Sequence, residues 1–230
     1  MAAANIPEEL QRTGKRSVFV VDDHPLLRQG LALLINQQHD LEVCGEAEEA
    51  QALMQALSQK KPDIVIVDIS LNGPDGLDLL KNIRSSYPDL PVLVLSMHDE
   101  AIYAERALRA RANGYIMKQE ATEKVLVAVR RILNGEVYLS DRMANKMLQQ
   151  YIGGSQGAIQ SRISALSDRE LEVFCLIGEG RGTREIAKGL HLSIKTVETY
   201  QAHIKEKLSL HSGRELIQRA IQWKIDEKTG

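Results

Sequence analysis

Short apolar runs alternate with longer amphipathic stretches from Ser17 to Asn134. Five runs rich in Val, Ile and Leu predict strands: SVFVVD, LEVCGE, DIVIVDIS, PVLVLS and GYIMK. The stretches between them carry apolar residues at helical spacing, as at Val125, Val129 and Ile132. Strands that alternate with helices predict an α/β fold, a flavodoxin-like, doubly wound, parallel five-stranded sheet with helices on both faces.

The pattern changes after Asn134. A short amphipathic stretch at 141–151 leads to GGSQGAIQS, whose composition predicts a flexible linker at Gly153–Ser161. Beyond it the strand pattern is absent and four helix starts follow. The predicted caps are Ser167 with Glu170, Thr183, Ser193, and Ser212 with Glu215.

These patterns divide the chain into four parts. We expect a flexible leader at 1–16, an α/β domain at 17–134, a connecting segment at 135–162 with a short helix at 141–151, and a small all-α domain of four helices at 163–230.

Composition agrees with two modest domains, since the 230 residues are 43% hydrophobic. No apolar run approaches the roughly 20 residues of a membrane span, and the first residues are too polar for a signal peptide. We therefore expect a cytoplasmic protein with no membrane association.

Residues 1–140 carry 15 Lys and Arg against 20 Asp and Glu, whereas residues 161–230 carry 12 Lys and Arg against 10 Asp and Glu. The contrast indicates different partners for the two halves, although so small a basic excess does not by itself establish nucleic-acid binding.

Aspartates end two of the predicted strands. Asp22 and Asp23 follow the first strand, and Asp68 follows the third. In the common strand order 2-1-3-4-5 these strands are neighbours, so the three carboxylates converge at one edge of the sheet. They repel one another unless a cation binds, and Mg²⁺ with oxygen ligands fits. Helix capping before Pro25 explains one of the paired aspartates but not both.

Two other predicted strand ends carry polar residues. Ser96 closes the fourth strand and Lys118 closes the fifth. A hydroxyl and an ammonium at these positions could both reach a phosphoryl group on Asp68. A Gly-rich phosphate loop is missing from the sequence, so nucleotide binding lacks support.

These residues carry a family resemblance. The segments VVDDHPLLRQG, PDIVIVDISLNGPDG, VLVLSMHDE and GYIMKQEA resemble the receiver domain of two-component response regulators over about residues 17–134. The resemblance implies that a sensor histidine kinase transfers a phosphoryl group to Asp68.

The sequence departs from the family in the loop Leu71-Asn72-Gly73-Pro74, where the proline lies two positions later than usual, and at Gln119, which replaces a common proline. The first change could alter the rate or lifetime of phosphorylation.

The same resemblance assigns roles around Asp68. It implies that Asp23 and Asp68, with the backbone carbonyl of Ser70, bind Mg²⁺ while Asp22 assists through water. It also implies that Ser96 and Tyr115 move on phosphorylation and that Lys118 pairs with the phosphoryl oxygens.

The segment from Thr183 to Ile204 has the spacing of a helix-turn-helix. Ala187 is small enough to let two helices cross closely, and Val197 begins the apolar stripe of the second helix. A small helical bundle with no nucleic-acid role is the alternative that this spacing leaves open.

The stretch LSDRELEVFCLIGEGRGTREIAKGLHLSIKTVETYQAHIKEKL resembles the LuxR-type DNA-binding domain of NarL/FixJ regulators over about residues 163–225. The resemblance implies that Ser193–Leu208 is a recognition helix for the major groove of double-stranded DNA. It also implies that Ser212–Lys224 mediates dimer contacts, for which the candidate residues are Leu216, Ile217 and Ala220. His191 stands where the family usually has glycine, which causes strain if its φ is positive.

The outward face of the recognition helix supplies candidate DNA contacts. The candidates for base contacts are Lys195, Glu198, Thr199 and Ala202. Those for phosphate contacts are Arg184, Lys188, Thr196, Tyr200, His203 and Lys205. Glu198 is informative, because a carboxylate repels phosphates but accepts a hydrogen bond from cytosine N4. Many relatives have a basic residue there, so their base preference would differ.

The combined interpretation is a transcriptional regulator, not an enzyme, in which phosphorylation of Asp68 releases or dimerises the DNA-binding domain. Its expected partners are the kinase, promoter DNA, a second copy of the chain, and RNA polymerase as a further candidate. An alternative is a Mg²⁺-dependent phosphatase of the haloacid-dehalogenase type, but Ser70 stands where those enzymes have a second aspartate. A second alternative is a constitutive dimer scaffold, which the full set of acidic and polar site residues disfavours.

Overall fold

The computed structural model describes residues 14–69, 76–97, 100–153, 163 and 165–229. The chain separates into two compact units, Met1–Ala144 and Asn145–Gly230. The predicted linker, apart from Gly153, lies outside the described residues. Ser70 and the loop at 71–74, which differs from the family pattern, also lie outside them. The domain limits at 134 and 163 remain predictions.

The first unit contains the parallel five-stranded sheet that the sequence predicts. Its strands are β1 (Arg16–Val21), β2 (Leu41–Ala47), β3 (Ile64–Asp68), β4 (Val92–Ser96) and β5 (Gly114–Met117). Their order is β2-β1-β3-β4-β5, which confirms the expected neighbourhood of the first and third strands. Every residue of β3 and β4 is buried, as expected for strands covered on both faces.

Five α-helices accompany the strands in the described part of the first unit: α1 (Pro25–Asn36), α2 (Ala50–Leu57), α3 (Gly76–Ser86), α4 (Glu100–Arg109) and α5 (Ala121–Leu133). Helix α6 (Asp141–Gly153) follows them and crosses from the first unit into the second. Helices α1 and α5 bury their apolar stripes against Val18, Ile64 and Leu93 on one face of the sheet. Alternate strand residues, such as Phe19 and Val65, point to the opposite face and are equally buried.

A segment after α5 extends the edge of the sheet beyond β5. Tyr138 forms a parallel bridge with Gly114, and the N–H of Tyr115 donates to the carbonyl of Tyr138 at 3.1 Å. The periodicity of the sequence gave no sign of this pairing. It anchors the start of the connecting segment to the strand that carries Tyr115.

After α6, the described residues of the second unit form four helices: α7 (Asp168–Gly178), α8 (Thr183–Gly189), α9 (Ile194–Leu208) and α10 (Gly213–Thr229). The caps at Ser167 and Ser193 are confirmed, since their side chains accept from the N–H groups of Glu170 and Thr196. The predicted cap at Thr183 is wrong. Gly182 is the N-cap, and its N–H donates to Glu185 Oε2 at 2.8 Å, which leaves Thr183 as the first helical residue.

The core of the second unit is built from the inner faces of all four helices. Phe174 of α7 and Trp223 of α10 pack with ring centroids 5.6 Å apart. Gly178 permits a close backbone approach, because a Cβ there would lie 2.7 Å from the carbonyl oxygen of Ala220. Among the described helices of the chain, none has the length and apolarity required to cross a membrane.

The contact at Gly178 gives a stability prediction. We expect Gly178→Ala to destabilise the helical unit by about 1–3 kcal/mol, because the added methyl group overpacks against the backbone of α10. Trp223 is the single tryptophan of the chain, so its fluorescence during urea unfolding reports on this unit. The control is Gly213→Ala, where a Cβ meets nothing within 4 Å. Equal stability of the two variants would contradict the overpacking argument.

Candidate functional site

Strand register brings two aspartates together at the carboxyl edge of the sheet. Val21 of β1 pairs with Val67 of β3, so Asp22 and Asp68 follow on adjacent strands. Each is only 1% exposed. This is the convergence that the sequence predicted from the strand order.

Lys118 lies between these two carboxylates. It begins the 3₁₀ turn after β5 and is buried, with Nζ 2.6 Å from Asp68 Oδ2 and 3.1 Å from Asp22 Oδ1. Burying an ammonium is unfavourable unless it is paired, and here it neutralises part of the charge of two acids. Lys118 is therefore already in place to meet negative charge on Asp68.

The predicted switch residues lie on the neighbouring strands. Ser96 is fully buried as the last residue of β4, one position after Leu95, which pairs with Asp68. Tyr115 in β5 is 1% exposed. Ser96 is therefore on the strand beside β3, and Tyr115 is on the strand after that, as the predicted strand order requires.

The structure adds two residues that sequence reasoning did not assign to the site. Arg28 of α1 donates from Nη1 to the backbone carbonyl of Asp22 at 2.5 Å and from Nη2 to Glu48 at 2.6 Å. His24 approaches Asp23, with Nδ1 2.6 Å from Oδ1. The DDHPLLR segment contains both residues, but only their positions in the fold show that they support the acidic turn.

The carboxylates of this cluster fit a hard divalent cation. One ligand atom from each of Asp22, Asp23, His24 and Asp68 lies within 4.8 Å of the others. Asp22 Oδ2 and Asp23 Oδ1 are buried and form no geometrically acceptable hydrogen bond in the described structure. The nearby Lys118 and His24 nitrogens approach these oxygens only as ion-pair contacts, at 2.9 and 2.6 Å. Buried oxygens with spare lone pairs and excess negative charge are what Mg²⁺ coordination requires.

The second unit presents a polar face on α9. Val197, Ile204 and Leu208 point into its core. The predicted base-contacting residues Lys195, Glu198, Thr199 and Ala202 are all exposed. Among the predicted phosphate contacts, Arg184, Lys188 and His203 are exposed, while Thr196, Tyr200 and Lys205 are half-buried. The structure thus displays the predicted base-contacting residues together on one helix.

Local hydrogen bonds engage some of these side chains. The Thr199 hydroxyl donates to the Lys195 carbonyl at 3.0 Å, and the Thr196 hydroxyl lies 2.7 Å from that of Ser193. His203 Nδ1 lies 3.7 Å from Glu170 on α7. His191, at the turn before α9, has φ 54°, so the strain expected there is present.

The predicted dimer residues require a correction. Leu216 and Ala220 are 2% and 0% exposed, because they pack inside the unit, and they offer no surface to a partner. Of the three residues, only Ile217 is exposed. It continues into a stripe with Ile221 and Ile225 at four-residue spacing along α10.

Glu170 connects the first helix of the second unit to α9. One of its carboxylate oxygens, Oε2, accepts from the Ser167 N–H at 2.7 Å and from Lys207 Nζ at 2.6 Å. Burial raises the pKa of this carboxyl, but the hydrogen bonds from Lys207 and Ser167 outweigh burial and hold the pKa below its ordinary value. The same carboxylate therefore caps α7 and positions α9.

Comparison with known proteins identifies the family of each unit. The model of the response regulator receiver domain matches residues 18–130, and that of the bacterial regulatory proteins of the luxR family matches residues 164–220. The oxygen regulatory protein NreC of Staphylococcus carnosus (strain TM300) is 35% identical over 212 residues, which cover 90% of this chain and 98% of that protein.

Solved structures give the same result. RcsB from Salmonella enterica serovar Typhimurium, bound to promoter rprA in the presence of the phosphomimetic BeF3-, is 28% identical with a TM-score of 0.58, covering 90% of this chain and 98% of the RcsB chain. A LuxR-family two-component response regulator from Aurantimonas sp. SI85-9A1 is 29% identical with a TM-score of 0.56, covering 60% of this chain and 99% of that one.

The two units together define a signalling protein, in which a receiver domain is joined to a DNA-binding domain. The chain belongs to the NarL/FixJ family of two-component response regulators, which are DNA-binding transcriptional regulators.

The Glu170 contacts give a prediction with a defined pH dependence. We expect Glu170→Gln to destabilise the helical unit by about 1–2 kcal/mol near neutral pH, because it removes the charge that pairs with Lys207. Because the folded-state pKa of Glu170 is lowered from 4.5, this stabilisation is complete above that value and is lost as the pH falls through the folded-state pKa.

The measurement is urea unfolding followed by Trp223 fluorescence at about pH 7 and at successively lower pH below about 4.5. Wild type and Glu170→Gln should differ at the higher pH and converge at the lower values. Glu206→Gln, an exposed charge change on α9, serves as the control. A difference that stays constant with pH would show that the carboxylate charge is not responsible.

Proposed function

We propose that Asp68 is the phosphoacceptor of this response regulator. The observation that carries the proposal is the burial of Asp22, Asp68 and Lys118 at one sheet edge, with Lys118 Nζ bridging both carboxylates. An oxygen of Asp68 attacks the phosphorus of a phosphohistidine on the sensor kinase. The new P–O bond forms as the P–N bond breaks, and the kinase imidazole leaves with the electron pair of that bond.

The acidic cluster would hold Mg²⁺ during this transfer. Asp23 and Asp68 are the proposed direct ligands with the backbone carbonyl of Ser70, and Asp22 is the proposed water-mediated ligand. A bound Mg²⁺ would draw charge from the phosphoryl oxygens. Lys118 would hold the remaining negative charge of the phosphorylated aspartate, and Ser96 would supply a hydroxyl donor from the end of β4.

The proposed switch follows from this arrangement. New charge on Asp68 changes what Lys118 and Ser96 contact, and Tyr115 lies on the next strand. Phosphorylation would shift the receiver toward the state in which these new contacts form, because an equilibrium shifts toward the state with the more favourable contacts. That state would release the DNA-binding domain or allow it to dimerise.

Phosphorylation is tested by intact-mass measurement. With acetyl phosphate and Mg²⁺ the wild-type chain should gain the mass of one phosphoryl group, and Asp68→Asn should gain none. Asp78→Asn, which removes an exposed carboxylate paired with Lys81, should label like wild type. Equal labelling of Asp68→Asn, or no labelling of wild type, would overturn the assignment.

We further propose that α9 reads DNA through Lys195, Glu198, Thr199 and Ala202. Supporting this are the exposure of all four side chains and the burial of the opposite face of the helix. The phosphate contacts are assigned to Arg184, Lys188, Thr196, Tyr200, His203 and Lys205. Of these, His203 also lies near Glu170 and would have to turn from it to reach a phosphate.

Base preference tests the role of Glu198. We expect Glu198→Ala to lose discrimination at one base pair by about tenfold, because the acceptor for a cytosine amino group is gone. Selection of bound sequences from a random pool by the full chain would measure this. Glu206→Ala, another exposed acid on α9, should alter affinity without altering preference. An unchanged sequence preference for Glu198→Ala would exclude direct base contact.

We propose that the regulator binds DNA as a dimer through the stripe Ile217, Ile221 and Ile225 on α10. Two half-sites about one helical turn apart would compensate for the weak basic charge of a single domain.

The dimer proposal predicts a change in cooperativity. Ile221→Lys should abolish cooperative binding to a two-half-site duplex, because it places a charge in an apolar contact, while leaving single half-site binding nearly unchanged. Band-shift titration measures both, and Leu148→Lys, an exposed apolar position on α6, is the control. Retained cooperativity in Ile221→Lys would contradict the assignment of this stripe.

A further inference from the structure

One of the four potential metal ligands of the acidic cluster is a nitrogen. His24 Nδ1 lies 2.6 Å from Asp23 Oδ1, 3.3 Å from Asp22 Oδ1 and 3.3 Å from Lys118 Nζ. The His24 side chain is 62% exposed, so an ion that approaches the carboxylates from solvent also meets the ring. The remaining ligand atoms, from Asp22, Asp23 and Asp68, lie within 4.8 Å of one another and of the ring nitrogen.

The pocket has the capacity for a cation. Asp22 is 1% exposed, and its Oδ2 atom forms no geometrically acceptable hydrogen bond in the described structure. Lys118 is one ammonium beside the two buried carboxylates of Asp22 and Asp68, with Asp23 adjacent. Net negative charge therefore remains for a bound ion to neutralise.

We infer that His24 tunes the metal specificity of this site, because its ring nitrogen adds to the affinity for Ni²⁺ and not to that for Mg²⁺. Mg²⁺ takes oxygen ligands and gains nothing from an imidazole. Ni²⁺ is well suited to imidazole and lies high in the affinity order of divalent ions. Such ions would therefore compete with Mg²⁺ for the carboxylates that phosphorylation needs. The inference rests on the proposed Mg²⁺ site.

Metal titration of the full chain tests the inference. Calorimetry with Ni²⁺ alone and with Mg²⁺ alone compares wild type with His24→Gln. We expect His24→Gln to weaken Ni²⁺ binding by about tenfold or more and to leave Mg²⁺ binding within about twofold. The control is His39→Gln, which removes an exposed histidine that lies 3.8 Å from Asp40. It should leave both affinities unchanged.

The outcomes separate the inference from the proposed function. Unchanged Ni²⁺ affinity in His24→Gln, or equal losses for both ions, would overturn the role of His24. Ni²⁺ binding that weakens in His24→Gln supports the role of His24, even if wild type binds no Mg²⁺. Absence of Mg²⁺ binding to wild type would contradict the proposed Mg²⁺ site but not the role of His24.

A second inference comes from the start of α6. Ser140 caps this helix, with its Oγ accepting from the Met143 N–H at 3.1 Å. A capping box would need Glu or Gln at residue 143 to accept from the Ser140 N–H, and Met143 cannot do so. Glu100 supplies the missing carboxylate from α4, accepting from the Ser140 N–H at 2.9 Å and from the Ser140 hydroxyl.

The completed cap touches the elements proposed to switch. Glu100 is the first residue of α4 and follows closely after Ser96, the last residue of β4. Tyr138, two residues before Ser140, accepts from the backbone N–H of Tyr115. Helix α6 then runs to Gly153, beyond Ala144 where the first compact unit ends.

The geometry points to Glu100 as the residue that couples phosphorylation to the connecting helix. A shift of α4 when Ser96 turns to a phosphoryl group would withdraw the carboxylate from Ser140, and the first turn of α6 would lose half of its cap. This inference also rests on the proposed function of Asp68.

Hydrogen exchange of the full chain tests the coupling. We expect the amides of Met143 and Ala144, which donate to Ser140, to exchange about fivefold faster in Glu100→Ala than in wild type. Beryllofluoride should produce the same increase in wild type and no further increase in Glu100→Ala. Glu105→Ala, which removes an acid paired with Arg109 within α4, is the matched control and should behave like wild type.

Equal exchange in Glu100→Ala and wild type would overturn the capping role. A beryllofluoride response elsewhere in the receiver that leaves these two amides unchanged would overturn the coupling. If beryllofluoride leaves wild-type exchange unchanged, or changes exchange equally in wild type and Asp68→Asn, the proposed phosphoacceptor fails. The comparison of Glu100→Ala with wild type in the absence of beryllofluoride still decides the capping role.

Discussion

The ion pairs that Lys118 makes with Asp22 and Asp68 are the contacts on which the receiver site depends. An isolated charge in the interior is strongly unfavourable, so neither the lysine nor the aspartates could be buried without the others. Their meeting requires β1, β3 and β5 to end at the same edge of one parallel sheet. The sheet thus brings Asp22, Asp68 and Lys118, which are far apart in sequence, into direct contact. Because the two aspartates carry more negative charge than one lysine neutralises, the cluster can also bind a cation.

The turn after β1 shows how the fold supports this unit. Arg28 reaches back from α1 to the carbonyl of Asp22, and its other nitrogen contacts Glu48. His24 holds the more exposed acid of the pair, Asp23. The Arg28 contact orients the turn through its backbone, which leaves the side chain of Asp22 available to a metal ion. The His24 ring instead faces the oxygen of Asp23 that would bind the ion.

The helical unit uses one carboxylate in a comparable way. Glu170 completes the cap of α7 and pairs with Lys207 of α9, so the helix that would read DNA is oriented by a charge on its neighbour. Glu100 performs a related task in the receiver, where an acid of α4 completes the cap of α6. In both cases a carboxylate that completes a helix cap also connects two helices, Glu170 through Lys207 and Glu100 by reaching α6 from α4.

Local patterns in the sequence were sufficient for the strands and most helix starts, because apolar periodicity and capping residues act over a few neighbouring positions. The acidic cluster was predicted by combining those strands with the common strand order of doubly wound sheets. Local patterns failed at Thr183, where Glu185 satisfies the N–H of Gly182 and shifts the cap by one residue. The dimer candidates Leu216 and Ala220 rested on the family resemblance and are buried within the unit, since one helix cannot reveal which of its apolar faces the domain covers. The roles of His24, Arg28 and Glu100 depend on contacts between separate elements, and for that reason only the tertiary structure decided them.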